Sequence, residues 1–390
     1  MKISVLLPFE ERMNSFSGGA VARWVYQVYK NLGNHKVNIF GIKSEDDFDY
    51  KIDTVALPIY VKWLINIINI IDMLPIISCS MKSRCSRKLI NKIKVWELFF
   101  SRYALESDVI HIHNRPSYAF ELRKKGYKGK IILHMHNSLN AYIKNHDVDK
   151  LNNDVDLILY CSKFLYRESM ADFPLLNVSS DVIYNGVNIN NFNDYKKVPG
   201  KFIHSGRLVE EKGAHLAIKI INKLLDKGED VTLNIVGGVK FGSNDKNEYV
   251  DYLVNLANDV NSRHGGCFVN LLGYLEHEEL LKEMSTSSYF LYPCLWDEPF
   301  GMVIIEALSV STPVFASKKG GIPEIVSGEV GVLVDDVDVQ SFVNSYLEVK
   351  NHKFDNELVY SYVCDRFSWE KITSDMLDIF NMNEGYKCTF

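Results

Sequence analysis

Residues 202–213 read FIHSGRLVEEKG: a short apolar run closes on small and charged residues, and a glycine leads into a new amphipathic stretch. That pattern fits a strand delivering polar side chains at its carboxyl end before a helix takes over. The preceding residues give it weight. After Asn185-Gly186 the chain runs VNINNFNDYKKVPG (187–200), polar and turn-rich with no periodicity, so a domain boundary falls near 187–200. Downstream, TLNIVGG (232–238), CFVNLLG (267–273), SYFLYPC (288–294), TPVFASK (312–318) and GVLVD (331–335) read as strands, each followed by a helical stretch. Upstream, KISVLLP (2–8), KVNIFGI (36–42), DVIHIH (108–113), KIILHMH (130–136), DLILYCS (156–162) and DVIYNG (181–186) do the same. In the first helix, Val21, Trp24, Val25, Val28 and Leu32 fall on the spacing of one buried face. Strands alternating with helices imply right-handed crossovers and mainly parallel sheets. The expected fold is α/β, two Rossmann-like doubly wound domains facing a cleft, where ligands bind at the carboxyl ends of the strands. The divisions are 1–190, 191–368, and a C-terminal helix and tail over 369–390 that packs back on the first domain.

Bulk properties agree. A chain of 390 residues is long for one core, and 47% apolar with 24% charged residues is ordinary for a globular protein. The formal net charge of -5 removes the overall basic field that gathers nucleic acid. Seven scattered cysteines contain no C-x-x-C pair, which points to reduced thiols in a cytoplasmic protein. The opening MKISVLLPFEER has too short an apolar run for a signal peptide. The most lipid-like segment, WLINIINIIDMLPII (63–77), is broken by two asparagines, an aspartate and a proline and falls short of the ~20 apolar residues of a span.

The densest chemistry is DEPFGMVIIEALS (297–309). Glu298 precedes a helix expected to begin near Met302, and Glu306 sits in its second turn. A carboxylate can accept from both hydroxyls of a vicinal diol, and the free N–H groups of the helix start suit a diphosphate. Gly301 permits close backbone approach. The competing reading is two solvated glutamates beside a helix start. In residues 202–213, Arg207 and Lys212 converge at a strand's carboxyl end. Each cation ~4 Å from a phosphate oxygen contributes on the order of 4 kcal/mol at an effective dielectric of 20, before desolvation. Two cations could therefore offset a leaving diphosphate without a metal. The competing reading pairs them with Glu210 and Glu211 on the surface.

Weaker signals complete the set. Ser17-Gly18-Gly19-Ala20 offers small residues between the first strand and helix but lacks the G-x-G-x-x-G of dinucleotide sites. His111, His113, His134 and His136 end two predicted strands. With no carboxylate or cysteine at ligand spacing, no metal is expected there. His136 at its strand tip is placed to hydrogen-bond a sugar hydroxyl, against the alternative of a packed core histidine. Residues 82–94 carry Lys82, Arg84, Arg87, Lys88, Lys92 and Lys94 without an acid, which fits either a contact with a membrane surface or anionic glycolipid or a solvated helix face.

These residues together resemble the family-four retaining glycosyltransferases of the GT-B type. The marks are Glu298 and Glu306 at Glu-x7-Glu spacing, the G-R-x4-K-G element (Gly206, Arg207, Lys212, Gly213), Asn185 to Val187, and ASKKGGIPEIV (316–326) with its paired glycines. Within that family GGAVARWVYQV (18–28), HMHNS (134–138) and ASKKGGIPE are similar to bacterial lipopolysaccharide core N-acetylglucosaminyltransferases. The resemblance implies a metal-independent, cofactor-free enzyme with UDP-N-acetylglucosamine as donor. Its acceptor would be a lipopolysaccharide core or other cell-surface glycan, bound by the first domain, and it would sit peripherally on the inner face of the cytoplasmic membrane. Catalysis would involve Glu298, His136, Arg207 and Lys212. Arg207 and Lys212 would hold the diphosphate, Glu306 the ribose and Glu298 the donor hexose. Backbone at Gly19, Phe300, Gly301, Met302 and Val303 would contact donor sugar and phosphates. Two rivals are a catalytically degenerate nucleotide-binding protein and a sugar-nucleotide epimerase of the same fold.

Overall fold

The computed structural model describes residues 1–8, 11–13, 19–32, 35–40, 42–43, 53–55, 104–189, 195–239 and 247–381. The basic segment with Lys82, Arg84, Arg87 and Lys88, the apolar run 63–77, and Ser17 with Gly18 lie outside the described residues. The chain divides into two compact units. The first comprises Met1–Leu159, Ser169–Asp181 and Asn383–Phe390, the second Tyr160–Glu168 and Val182–Met382.

The first unit carries β1 (Lys2–Leu6), β2 (Arg12–Met13), β3 (Lys36–Phe40), β4 (Ile42–Lys43), β5 (Asp53–Val55), β6 (Val109–His113), β7 (Lys130–Met135), β8 (Leu157–Tyr160) and β9 (Ser180–Val182). Seven of them form one sheet in the order β5-β3-β1-β6-β7-β8-β9, and β2 pairs with β4 separately. Sequence order reverses at β1, as in a doubly wound sheet, and β1 lies parallel to both β3 and β6. Helix Ala20–Lys30 packs the face that its periodicity marks: Trp24, Val25 and Val28 are 0% exposed. That face meets strands buried on both faces, and Trp24 lies against the rings of His111, His113 and His134.

The second unit repeats the plan with β10 (Val198–Ser205), β11 (Thr232–Val236), β12 (Val269–Gly273), β13 (Ser287–Tyr292), β14 (Val314–Ser317) and β15 (Gly331–Val334), ordered β12-β11-β10-β13-β14-β15. Every registered neighbour pair is parallel. Its core joins Phe202, Leu233, Leu291 and Phe315 of the sheet to Ile218 and Ile221 of helix Ala214–Asp226 and Phe342 of helix Val339–Val349. Helices Asn356–Phe367 and Trp369–Asn381 follow, with Phe367 and Trp369 buried. Both are part of the second unit. Among the described residues no helix is long and apolar enough to cross a membrane.

Candidate functional site

The topology of the second sheet brings two distant segments together. β10 and β13 are hydrogen-bonded neighbours, with Phe202 opposite Tyr289 and Ile203 opposite Phe290. The chain leaving β10 (Gly206 to Gly213) therefore emerges beside the chain leaving β13 (Pro293 to Glu298), at the carboxyl ends where such sheets bind ligands. The two loops are pinned to each other. Leu295 N–H donates to the Glu211 carbonyl at 2.8 Å, and Gly213 adopts φ +77 where a Cβ would lie 1.9 Å from the Pro293 oxygen. Only glycine satisfies both the left-handed conformation and that approach.

Lys212 occupies a 3-10 turn, Glu210–Lys212, just before helix Ala214–Asp226. It is 8% exposed, and a buried ammonium needs a partner. Glu298 Oε2 provides it through a short ion pair. The same oxygen accepts from the Tyr292 hydroxyl at 2.9 Å and from Trp296 Nε1 at 3.3 Å. The ammonium also lies 5.1 Å from the centroid of the Trp296 ring and 5.8 Å from that of Tyr292, within cation–π range. Three donors thus saturate Oε2, while Oε1 accepts no hydrogen bond among the described residues. Burial, and next the Glu298 charge, hold the Tyr292 phenol well above its ordinary pKa, so it remains a donor to the carboxylate. Burial likewise pushes Cys294 up to about 11, which keeps that thiol unreactive. His204, behind Tyr292 with ring centroids 5.9 Å apart, is lowered to about 4 by burial.

Arg207 is exposed just beyond β10, and among the described residues its guanidinium forms no salt bridge. Glu210 and Glu211 form none with either cation among those residues, so the surface-pairing alternative is not what this structure adopts. Arg207, Val209, Glu211, Lys212 and Trp296 line a pocket of about 160 Å³.

The loop after β14 supports Glu298 from behind. Gly321 N–H donates to the Glu298 carbonyl at 2.7 Å, and Gly320 N–H to Asp297 Oδ1 at 3.2 Å. A Cβ on Gly320, whose φ is +57, would lie 2.3 Å from that carbonyl oxygen, and one on Gly321 2.7 Å from the Pro299 oxygen. Backbone packed on backbone explains the paired glycines. Helix Met302–Ser309 starts at Gly301, φ +113, with no side-chain cap, which leaves first-turn N–H groups open to an anion. Phe300 is 2% exposed and packs on Tyr184 and Phe367; its side chain anchors the loop and only its backbone is available to a ligand. Glu306 is 5% exposed, its Oε1 3.9 Å from His277 Nδ1.

The remaining sequence candidates belong to the first unit. Gly19 caps helix Ala20–Lys30, and a Cβ there would meet the Glu11 carboxylate at 2.6 Å. A carboxylate already occupies the place by that helix start where the sequence suggests a phosphate. His136 is held at its backbone by Asn114 Oδ1 (2.7 Å) and at Nε2 by His113 Nδ1 (3.0 Å). Asn114 itself has φ +53. Sequence reasoning missed Glu11, Tyr292 and Trp296. No motif or spacing in the sequence marks any of the three.

A doubly wound sheet repeated twice, with cations, acids and an uncapped helix start gathered at one carboxyl edge, is the plan of the GT-B fold. Residues 188–359, within the second unit, match the family described as "Glycosyl transferases group 1". The chain is 22% identical over 301 residues to spore coat protein SA of Bacillus subtilis, covering 71% of this chain and 78% of that one. It is 24% identical over 288 residues to the lipopolysaccharide 1,2-N-acetylglucosaminetransferase of Salmonella typhimurium, covering 68% and 71%. Among solved structures, HepE of Anabaena in complex with UDP and glucose superimposes with a TM-score of 0.65 at 18% identity, over 97% of this chain and 99% of that one.

Proposed function

We propose that the protein transfers a hexose from a UDP-linked sugar to a cell-surface glycan or glycolipid, with retention at the anomeric carbon and without a metal. The observation that carries the reading is the pocket where exposed Arg207 stands beside Lys212, the latter set against Glu298. Arg207 supplies an uncommitted guanidinium for the diphosphate, and Lys212 the second charge. The open N–H groups after Gly301 receive a further phosphate or sugar oxygen. Glu298 Oε1 is free to accept from one hydroxyl of the donor hexose, while Oε2 stays with the lysine. Glu306 accepts from the ribose, and His136 hydrogen-bonds a sugar hydroxyl through Nδ1.

As the glycosidic C–O bond to the phosphate breaks, negative charge grows on the leaving diphosphate, where two cations and the helix start stabilise it. The leaving oxygen takes the proton of the acceptor hydroxyl as that oxygen bonds to the anomeric carbon on the same face. No separate base is then required. UDP as carrier is supported by the UDP bound to the Anabaena neighbour. N-acetylglucosamine and a lipopolysaccharide-type acceptor are supported by the name of the Salmonella relative. Such an acceptor calls for an enzyme working at the inner face of the cytoplasmic membrane, with residues 82–94 as the basic contact.

The test is calorimetric titration of the purified protein with UDP-, GDP- and ADP-sugars, followed by UDP-release assays with and without acceptor glycans. Preference for a GDP- or ADP-sugar removes the UDP assignment. Binding without release marks a degenerate enzyme, and product without acceptor an epimerase.

A further inference from the structure

Three histidines of the first unit take no part in sugar transfer as proposed. His111 and His113 alternate along β6, and His113 is the register partner of His134 on β7, so all three side chains share one face of the sheet. The His111 and His134 rings stack at 5.5 Å with 6° between planes, and the His111 and His113 centroids are 4.3 Å apart. One ring nitrogen from each of the three lies within 4.8 Å of the others, and all three residues are 0% exposed.

The nitrogens are not equivalent. His111 Nδ1 meets the Tyr29 hydroxyl at 2.6 Å, and His113 Nδ1 meets His136 Nε2 at 3.0 Å. The Nε2 atoms of His111 and His113 are buried with no hydrogen-bond partner. In either tautomer each is an unmet donor or an unmet lone pair, which a buried site tolerates only at a cost. If Nδ1–H donates to Tyr29 and His136, both Nε2 atoms carry lone pairs. That is how metal-binding histidines are held, one nitrogen on the ion and the other donating to a group that fixes the tautomer. Trp24 packs perpendicular to His134 at 4.7 Å and covers the cluster with an apolar ring.

We propose that His111, His113 and His134 bind one divalent transition-metal ion, zinc by ligand type, as a structural site of the first unit. Bonds of about 2.0–2.1 Å require N···N separations of roughly 3.3–3.5 Å, so nitrogens up to 4.8 Å apart draw together by up to roughly 1.5 Å and a water or hydroxide completes the tetrahedron. Tyr29 and His136 are the outer partners that orient His111 and His113. None of the three ligands contacts the sugar in the transfer reaction as proposed, and only the outer partner His136 is shared with it.

The full chain, made without a polyhistidine tag and stripped with chelator, is titrated with Co²⁺ and then Zn²⁺. One equivalent of Co²⁺ should give the visible bands of tetrahedral imidazole coordination, Zn²⁺ should displace it, and the melting temperature should rise with either ion. His111→Gln and His134→Gln should each weaken binding by roughly a hundredfold or more, and Tyr29→Phe, which keeps all three ligands, by roughly tenfold to a hundredfold. Wild-type protein without a stoichiometric metal signal overturns the proposal whether or not the variants fold. Undiminished binding by His134→Gln overturns it equally, and undiminished binding by Tyr29→Phe removes the orienting role.

Discussion

Lys212 and Glu298 lie 86 residues apart in the chain and form an ion pair beside a pocket that also exposes Arg207. The pair divides the labour of the two cations. Lys212 is fixed before any ligand arrives, whereas Arg207 remains uncommitted.

That difference separates their variants. Arg207→Ala should leave stability within about 0.5 kcal/mol of wild type, since the side chain is exposed, yet lower kcat/KM by roughly 10² to 10³, the usual loss when one preorganised charge is removed. Lys212→Met should lose activity at least as severely and also destabilise the fold by up to about 3–5 kcal/mol, because Glu298 keeps its charge without its counterion. Urea denaturation beside UDP-release kinetics distinguishes the two, and equal stability losses would refute the division.

Tyr292→Phe removes one donor from Glu298 Oε2 and changes little else. A hydrogen bond to a charged group contributes about 1.5–3 kcal/mol, so kcat/KM should fall roughly tenfold or more. Kinetics of this variant with the intact nucleotide sugar check the point.

Gly320→Ala and Gly228→Ala make a controlled comparison. Both glycines have positive φ, +57 and +79, but a Cβ at 320 meets the Glu298 carbonyl oxygen at 2.3 Å whereas one at 228 meets nothing within 4 Å. Gly228→Ala should cost only the backbone term of about 1–2 kcal/mol. Gly320→Ala should cost more and lower nucleotide-sugar affinity as well, because the loop bearing Glu298 must move. Thermal melts with and without UDP measure both.

His204 predicts acid sensitivity. It is fully buried, and its pKa falls from the ordinary 6.5 to about 4. Between those values the unfolded chain binds the proton and the folded protein does not. Stability therefore falls as pH drops from 6.5 toward 4, by at most about 1.4 kcal/mol per pH unit for this group. Denaturation midpoints for wild type and His204→Gln between pH 7 and 4 should converge as the pH is lowered. Parallel curves would show that His204 does not titrate this way.

Much of this was legible in the chain because it is local. The alternation of strands and helices, the buried face of helix Ala20–Lys30 and the start of helix Met302–Ser309 are set by periodicity and by glycine within a few residues. The Glu298 and Glu306 spacing and the cations after β10 could likewise be read as donor-site candidates. Partnership could not be read. Surface pairing of Lys212 with Glu210 or Glu211 competed in the sequence because those acids are adjacent, while the acid it meets arrives from β13.

The sequence by itself determined two doubly wound sheets and the residues gathered at the carboxyl edge of the second. Only the tertiary structure decided that Tyr292 and Trp296 join Lys212 on one oxygen of Glu298, that its other oxygen stays open, and that histidines from β6 and β7 meet beneath Trp24. The reason is physical: periodicity fixes which way each side chain faces along its own element, but which faces meet depends on strand order and register, and these follow from packing the whole core.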